Sequence, residues 1–147
     1  MSMFGAFDIN ASGLTAQRFR MDIISENVAN ANTTRTADGG PYVRKVVTFA
    51  ERDTQTPFRH VLNEATGRYS GQGVKVQGVY EDTSSEMIMA YDPSHPDADE
   101  NGYVTYPNVN IITEMTNLID ASRSYEANAT AFGASKSIAM QGLNLGK

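Results

Sequence analysis

Apolar side chains recur at helical spacing over a long stretch near the end of the chain, from Asn108 to Gln141. The stretch follows Tyr106-Pro107 and contains no proline, and as a helix it would be about 50 Å long. Numbered by heptads, one line carries Ile111, Leu118, Tyr125, Phe132 and Ala139, and the line beside it begins at Met115. The pattern predicts a long helix with an apolar seam of the coiled-coil type.

The remaining faces of this helix carry few charges and many Asn, Ser, Thr and Ala residues. A helix that faces water usually carries more Lys and Glu. This composition therefore favours a surface that other protein covers.

A second helix is predicted near the start of the chain, beginning at an N-cap at Ser12 and ending near the Asn-rich stretch 27–32. Leu14, Met21 and Val28 lie on one heptad line, and Ile24 lies on the next. The first ten residues show no clear period, so the sequence predicts no element there.

Between the helices the sequence favours short strands. Residues 42–51 are rich in β-branched side chains, residues 74–80 alternate clearly, and residues 87–91 form a plausible third strand. Residues 52–72 are polar and broken by Pro and Gly, and residues 92–107 are rich in Pro and Asp. Both of these stretches are predicted to be irregular.

These elements predict an α+β fold with three segments. Residues 1–33 would form the N-terminal helix, residues 34–107 a small β-rich insert, and residues 108–147 the C-terminal helix. Neither helix can bury its seam alone, so an antiparallel coiled coil between the two is the simplest arrangement. Because the C-terminal helix is longer, part of its seam is expected to meet another molecule.

Composition excludes several functions. The formal net charge is -5, which argues against a nucleic-acid-binding protein. There is no cysteine, which rules out disulfides and Cys-based zinc sites. No run approaches the roughly 18 apolar residues of a membrane span, and the first residues lack the features of a secretory signal. On these grounds alone the protein would be expected in the cytoplasm.

Candidate chemistry is sparse. Residues 97–102 match the first half of a calcium-binding EF-hand loop, but Asn108 stands where a bidentate Glu is required. The two histidines, His60 and His95, lie far apart in sequence, and no nucleophile–base arrangement emerges. We expect no enzyme activity, no metal site and no cofactor.

The segment from Ser12 to Thr33 resembles the N-terminal signature of bacterial flagellar axial proteins, the rod and hook family. Asn27, Asn30 and Asn32 belong to the part that carries this resemblance. The signature alone does not distinguish rod from hook proteins.

A second segment narrows the resemblance to the proximal rod proteins of that family. It runs from Tyr91 to Val109 and is supported by Glu114-Met115 and by residues 121–128. Its motif positions are Asp92, Pro93, Pro96, Gly102, Tyr103, Pro107 and Asn108. The shortness of the chain agrees, since hook and distal-rod relatives carry larger inserts.

The resemblance implies a structural subunit whose terminal regions become helical on polymerisation and pack as a coiled coil in the wall of a hollow tube. It implies uncleaved export through the flagellar type III apparatus and a final location in the basal-body rod that spans the periplasm. Implied partners are the rod subunits FlgB, FlgF and FlgG, the adaptor FliE between rod and MS ring, the type III export gate, and further copies of the same chain. No lipid binding is implied.

A short segment with Phe7 and Ile9 resembles the region that docks early rod subunits at the export gate. Packing of Phe7 against the first helix is an equally good interpretation. Three alternatives to a proximal rod subunit also stay open: a secreted helical interaction protein, another rod or hook subunit, and a calcium-binding module.

Overall fold

The computed structural model describes residues 3–52 and 71–144, together with residues 62 and 65 between them. Its helices and strands, in chain order, are α1 Met3–Ala29, β1 Lys45–Glu51, β2 Val74–Glu81, β3 Ile88–Tyr91, β4 Tyr103–Tyr106 and α2 Ile111–Asn144. Two long terminal helices with small antiparallel sheets between them confirm the predicted α+β class. His60 and most of the predicted irregular stretch 52–72 lie outside the described residues.

Helix α1 begins at Met3, so the prediction of an N-cap at Ser12 is wrong. The Ser12 hydroxyl lies within the helix and donates to the Ile9 carbonyl oxygen over 2.7 Å. The earlier turns are stabilised by tertiary packing, because the Phe7 ring meets the Phe132 ring edge-on at 5.1 Å between centroids. A contact between residues so far apart in sequence cannot be read from local spacing.

Two antiparallel strand pairs form the insert. In the β1–β2 pair, the Asp82 N–H donates to the Arg44 carbonyl and the Arg52 N–H donates to the Gly73 carbonyl. In the β3–β4 pair, Ile88 is opposite Tyr106 and Tyr91 is opposite Tyr103.

Strand β4 overturns the prediction that residues 92–107 are wholly irregular. The Pro- and Asp-rich part forms only the turn before the strand, and it closes where the Asp92 N–H donates to the Gly102 carbonyl over 2.9 Å. Gly102 has a φ of 81°, a backbone conformation that glycine adopts without steric cost. The strand begins immediately after it.

The chain forms two compact units, each assembled from separate segments. Unit 1 comprises Met1–Phe19, Phe49–Gln77 and Ser122–Lys147, and unit 2 comprises Arg20–Thr48 and Gly78–Ala121. In unit 1, Phe7 lies against Phe132 and Gly13 lies against Asn128, so the helix segments run antiparallel. In unit 2, Ala31, Tyr42 and Val109 form a small apolar core.

The buried line of α2 differs from the predicted seam. Its fully buried side chains are Glu114 and Ala121, one heptad apart, whereas Ile111, Met115 and Tyr125 are exposed. Leu118, Phe132 and Ala139 are half-buried. Ile111, Met115 and Tyr125 are therefore not covered within the single chain, and their place in a coiled-coil or assembly interface stays a prediction.

On α1, Ile24 is buried, while Leu14, Met21 and Val28 are half-buried. Two small residues of this helix, Gly13 and Ala16, are buried as well. Small residues let helix backbones approach closely. The buried face of α1 therefore follows the small residues, whereas the heptad pattern of large apolar side chains predicts a different face.

Candidate assembly site: a buried polar network and an exposed apolar stripe

Asn27 is the centre of a buried hydrogen-bond network in unit 2, and its side chain is only 1% exposed. Its Nδ2 donates to the Lys45 carbonyl over 2.8 Å and to Glu114 Oε2 over 3.0 Å. Its Oδ1 accepts from the Lys45 N–H and from the Tyr42 hydroxyl, each over 2.9 Å. All four hydrogen-bonding positions of the amide are thus used. One side chain thereby joins α1 to α2 and to the start of β1.

Glu114 is the buried charge of this network. Its Oε1 accepts from Arg44 Nε over 2.9 Å and from Arg44 Nη2 over 2.7 Å. Burial of a carboxylate without partners would cost free energy, because the group loses its hydration. Here the Arg44 guanidinium and the Asn27 amide replace the lost water contacts. The first turn of α2 is therefore held to α1 and β1 by charge-assisted hydrogen bonds.

Asn108 continues the network just before α2. Its Oδ1 accepts from the Arg44 N–H over 2.9 Å, and its Nδ2 donates to the carbonyls of Asp82 and Ser85 over 2.7 and 3.2 Å. Arg44 also approaches Asp82, with 3.4 Å between Nη1 and Oδ2. The Ser84 and Ser85 hydroxyls donate to Asp82 and hold the pKa of its carboxyl well below the usual range. Asp82 therefore stays ionised opposite Arg44.

Tyr42 has a strongly perturbed acidity. Burial is the main cause that raises the pKa of its hydroxyl to about 12. The negative charges of Glu26, Glu114 and Glu81 raise it further, in that order. Its hydroxyl thus remains a neutral donor to Asn27. Lys45 Nζ pairs with Glu26 Oε1 at 2.6 Å beside it.

The family-motif positions fall on different parts of unit 2. Asn27, Asn108, Pro107 and Gly102 are buried, Asn30 and Asp92 are half-buried, and Asn32, Pro93, Pro96 and Tyr103 are exposed. Asn30 bonds locally, with Nδ2 donating to the Glu26 carbonyl over 2.9 Å. The structure thus connects Asn27 to Asn108 through Glu114 and Arg44, while the other motif positions shape turns or face solvent.

The turn between β3 and β4 is fixed by its own side chains. Asp99 Oδ1 accepts from the N–H groups of Asn101 and Tyr103 over 2.9 and 2.8 Å. Asp97 accepts from the Thr34 hydroxyl and pairs with Arg35 at 3.6 Å. In the part of the chain that the structure describes, no group of three or more metal-ligating side chains comes together.

An apolar stripe lies on the solvent face of α2 in unit 2. It consists of Ile112, Met115 and Ile119, which are 78%, 56% and 54% exposed. Spacings of three and four residues place these side chains on one side of the helix. The stripe is backed by the buried Glu114 network, so its backbone position is fixed.

Unit 1 contains the two residues of the predicted export-gate segment. Phe7 and Ile9 are half-buried, with Phe7 packed on Phe132. Ser12 Oγ accepts from the Val74 N–H over 3.0 Å and so attaches the start of β2 to α1. Among the described residues, no helix has the length and apolar character needed to cross a bilayer.

Tyr42, Arg44 and Asp82 were not among the residues predicted from the sequence. They lie just outside the ends of β1 and β2, and nothing in their local pattern indicates burial or pairing with a distant residue. The one usable signal was Glu114, a carboxylate among apolar residues at the start of a weakly charged helix.

Two segments of the chain match models of known protein families. The family model described as "Flagella basal body rod protein" matches residues 7–35, which lie in and just after α1. The model described as "Flagellar basal body rod FlgEFG protein C-terminal" matches residues 100–145, which include β4 and α2. Both matches cover segments that carry the resemblance to the rod and hook family.

Curated relatives match over nearly the whole chain. A flagellar basal-body rod protein FlgC of Borreliella burgdorferi is 43% identical over 143 residues, which cover 94% of this chain and 93% of the relative. Proteins of the same name from Bacillus subtilis and Salmonella typhimurium are 42% and 39% identical, with complete coverage of both partners in each alignment.

Proposed function

Because the chain belongs to the FlgC family of flagellar basal-body rod proteins, we propose that it forms the proximal part of the rod as a hollow helical polymer. It is a structural subunit of the rod, it is located in the flagellar basal body, and it assembles with other basal-body components. Its relatives are structural rod proteins rather than enzymes.

In this proposal, the chain leaves the cytoplasm unfolded through the flagellar type III apparatus and then polymerises. Its neighbours would be FlgB, FlgF and FlgG, the adaptor FliE and further copies of itself. Segments 1–33 and 108–147 would build the axial coiled coil, and segment 34–107 would form the insert. The polymer would transmit motor torque and leave a channel for export.

The observation that best supports assembly is the apolar stripe of Ile112, Met115 and Ile119. Burial of apolar surface is worth roughly 25 cal/mol per Å², so covering a row of three such side chains favours association. Met115 and Ile111 were predicted as seam residues, and their exposure makes them candidates for contact with a neighbouring subunit instead.

A double substitution of the stripe tests this role. In Ile112→Asp/Met115→Asp, two carboxylates would have to be desolvated at the interface, so we expect loss of swimming and at least a tenfold drop of the chain in isolated basal bodies. The monomer should keep its helical circular dichroism, because both side chains are exposed.

The matched control is Thr113→Asp, which adds a carboxylate on the same exposed turn but away from the stripe. Cells that carry Thr113→Asp should swim normally. Normal motility of the double variant would contradict the assignment of the stripe to an assembly interface.

A further inference from the structure

The two structural units carry opposite net charges. Among the described residues, the segments of unit 1 contain five Lys and Arg against three Asp and Glu, which gives +2. Unit 2, whose residues are all described, contains four Lys and Arg against twelve Asp and Glu, which gives -8. Because each unit combines segments that are distant in sequence, this separation is hidden when the charge is followed along the chain.

Most of the cationic side chains of unit 2 form ion pairs within that unit. Arg44 pairs with Glu114 and Asp82, Lys45 with Glu26, and Arg35 with Asp97. The unit still exposes carboxylates for which the described residues provide no ion pair. These are Asp22, Asp38, Glu81, Glu86, Asp99, Glu100 and Asp120.

The cations of unit 1 are presented to solvent. The described ones are Arg18, Arg52, Lys75, Arg123 and Lys136, and all five are exposed. No ion pair between described residues uses any of them. They are carried by α1, α2 and the strand region, so the positive charge is not confined to one element.

We propose that the acidic unit 2 of one copy docks on the basic unit 1 of the next copy. Opposite charges steer and orient association, whereas contact between two copies of the same unit brings like charges together. The contact is therefore heterologous, and repetition of a heterologous contact produces an open helical polymer. This inference rests on the proposed function, since it names the partner of the rod subunit as a second copy of this chain.

The β3–β4 hairpin is the part of unit 2 best suited to receive arginine. Tyr91 and Tyr103 pack edge-on at 5.3 Å between ring centroids, and both remain exposed. Asp99 Oδ1 accepts from the Tyr103 N–H, and the exposed Glu100 follows Asp99 in the same turn. Exposed tyrosine faces attract guanidinium groups, and adjacent carboxylates add charge pairing. Arg18 and Arg123 are the exposed arginines on the helices of unit 1.

Zero-length carbodiimide coupling of isolated basal bodies tests the contact directly, since it joins Lys amines only to carboxylates that touch them. We expect a species of twice the chain mass, in which peptides containing Lys75 or Lys136 are joined to peptides containing unit 2 carboxylates. Absence of that species, or joining of these lysines only to other proteins or within one chain, overturns the proposal. Absence of the chain from basal bodies would instead refute the proposed function.

Charge variants provide the second test. Arg18→Glu/Arg123→Glu changes the charge of the described residues of unit 1 from +2 to -2, and we expect about a tenfold loss of the chain from basal bodies, equivalent to about 1.4 kcal/mol. The matched control is Glu126→Lys, an exposed reversal on the same stretch of α2 that makes unit 1 more positive. It should incorporate normally. Equal incorporation of both variants, with unchanged circular dichroism, overturns the proposal.

Discussion

Asn27 donates a hydrogen bond from Nδ2 to Glu114 Oε2 over 3.0 Å, and each of these side chains is only 1% exposed. The bond joins the end of α1 to the beginning of α2 across 87 positions of sequence. Because Asn27 also binds both backbone groups of Lys45, the two helices and β1 are fixed together in unit 2. A buried polar contact of this kind strongly favours one helix register over alternatives.

Replacement of Glu114 by Gln should destabilise the protein. The substitution removes the charge that compensates Arg44, and hydrogen bonds to charged groups contribute about 1.5–3 kcal/mol each. We expect the free energy of unfolding to fall by about that amount, as measured by urea denaturation followed by circular dichroism. Glu100→Gln is the control, because its carboxylate is exposed, and it should change stability by less than about 0.5 kcal/mol. Equal effects of both variants would mean that the buried network contributes little.

Gly13 should not tolerate a methyl group. A Cβ at this position would lie 2.7 Å from Asn128 Oδ1, so Gly13→Ala must push the helices apart or displace the Asn128 side chain. We expect a loss of about 1–3 kcal/mol in thermal or urea unfolding. Gly5→Ala in the same helix meets nothing within 4 Å and should stabilise by about 0.5–1 kcal/mol. Stabilisation by both substitutions would contradict the close approach of the helices.

Stability should decline in alkaline solution through Tyr42. Its folded-state pKa is about 12, above the ordinary value of 10.0, so the folded protein holds this proton more tightly than the unfolded chain does. The contribution is fully present below pH 10 and is lost as the pH rises towards 12. The measurement is urea unfolding at several alkaline pH values, and Tyr42→Phe should show a smaller decline. An unchanged pH profile in that variant would assign the decline to other groups.

Substitutions at Phe7 and Phe132 can separate packing from export. The two rings touch, so Phe7→Ala and Phe132→Ala should lower stability by comparable amounts, about 3 kcal/mol if both rings were fully buried and less for these half-buried ones. A role of Phe7 at the export gate adds a second effect. In that case Phe7→Ala alone abolishes appearance of the chain outside the cytoplasm, as measured by immunoblotting of fractionated cells. Equal export of both variants would leave packing as the role of Phe7.

Much of the fold could be predicted locally. Long proline-free periodic stretches indicated both terminal helices. β-Branched composition indicated a strand at 42–51, alternation indicated one at 74–80, and a third was predicted at 87–91, where the structure has β1, β2 and β3. The start of α1 and strand β4 were missed because each depends on a partner distant in sequence. Phe7 needs Phe132, and Tyr103 needs Tyr91. Local propensity carries no information about such contacts.

The seam shows where the heptad pattern misleads. The heptad pattern assigns the largest apolar side chains to the seam, and Met115 was assigned there for that reason. In the structure Met115 is exposed, and its neighbour Glu114 is buried. A carboxylate becomes acceptable in the interior only once Arg44 and Asn27 surround it, and both come from other elements. Its burial is therefore a property of the assembled network.

The α+β class, the two terminal helices and the family can be inferred from the order of residues alone, because periodicity and short motifs are local properties of a chain. The buried helix face, the compensation of carboxylates and the distribution of charge depend on contacts between distant segments. The charge distribution is the clearest case, since the described residues separate into groups of +2 and -8 only when distant segments are grouped by contact. Electrostatic potential depends on distance in space, and the order of residues along the chain does not specify that distance.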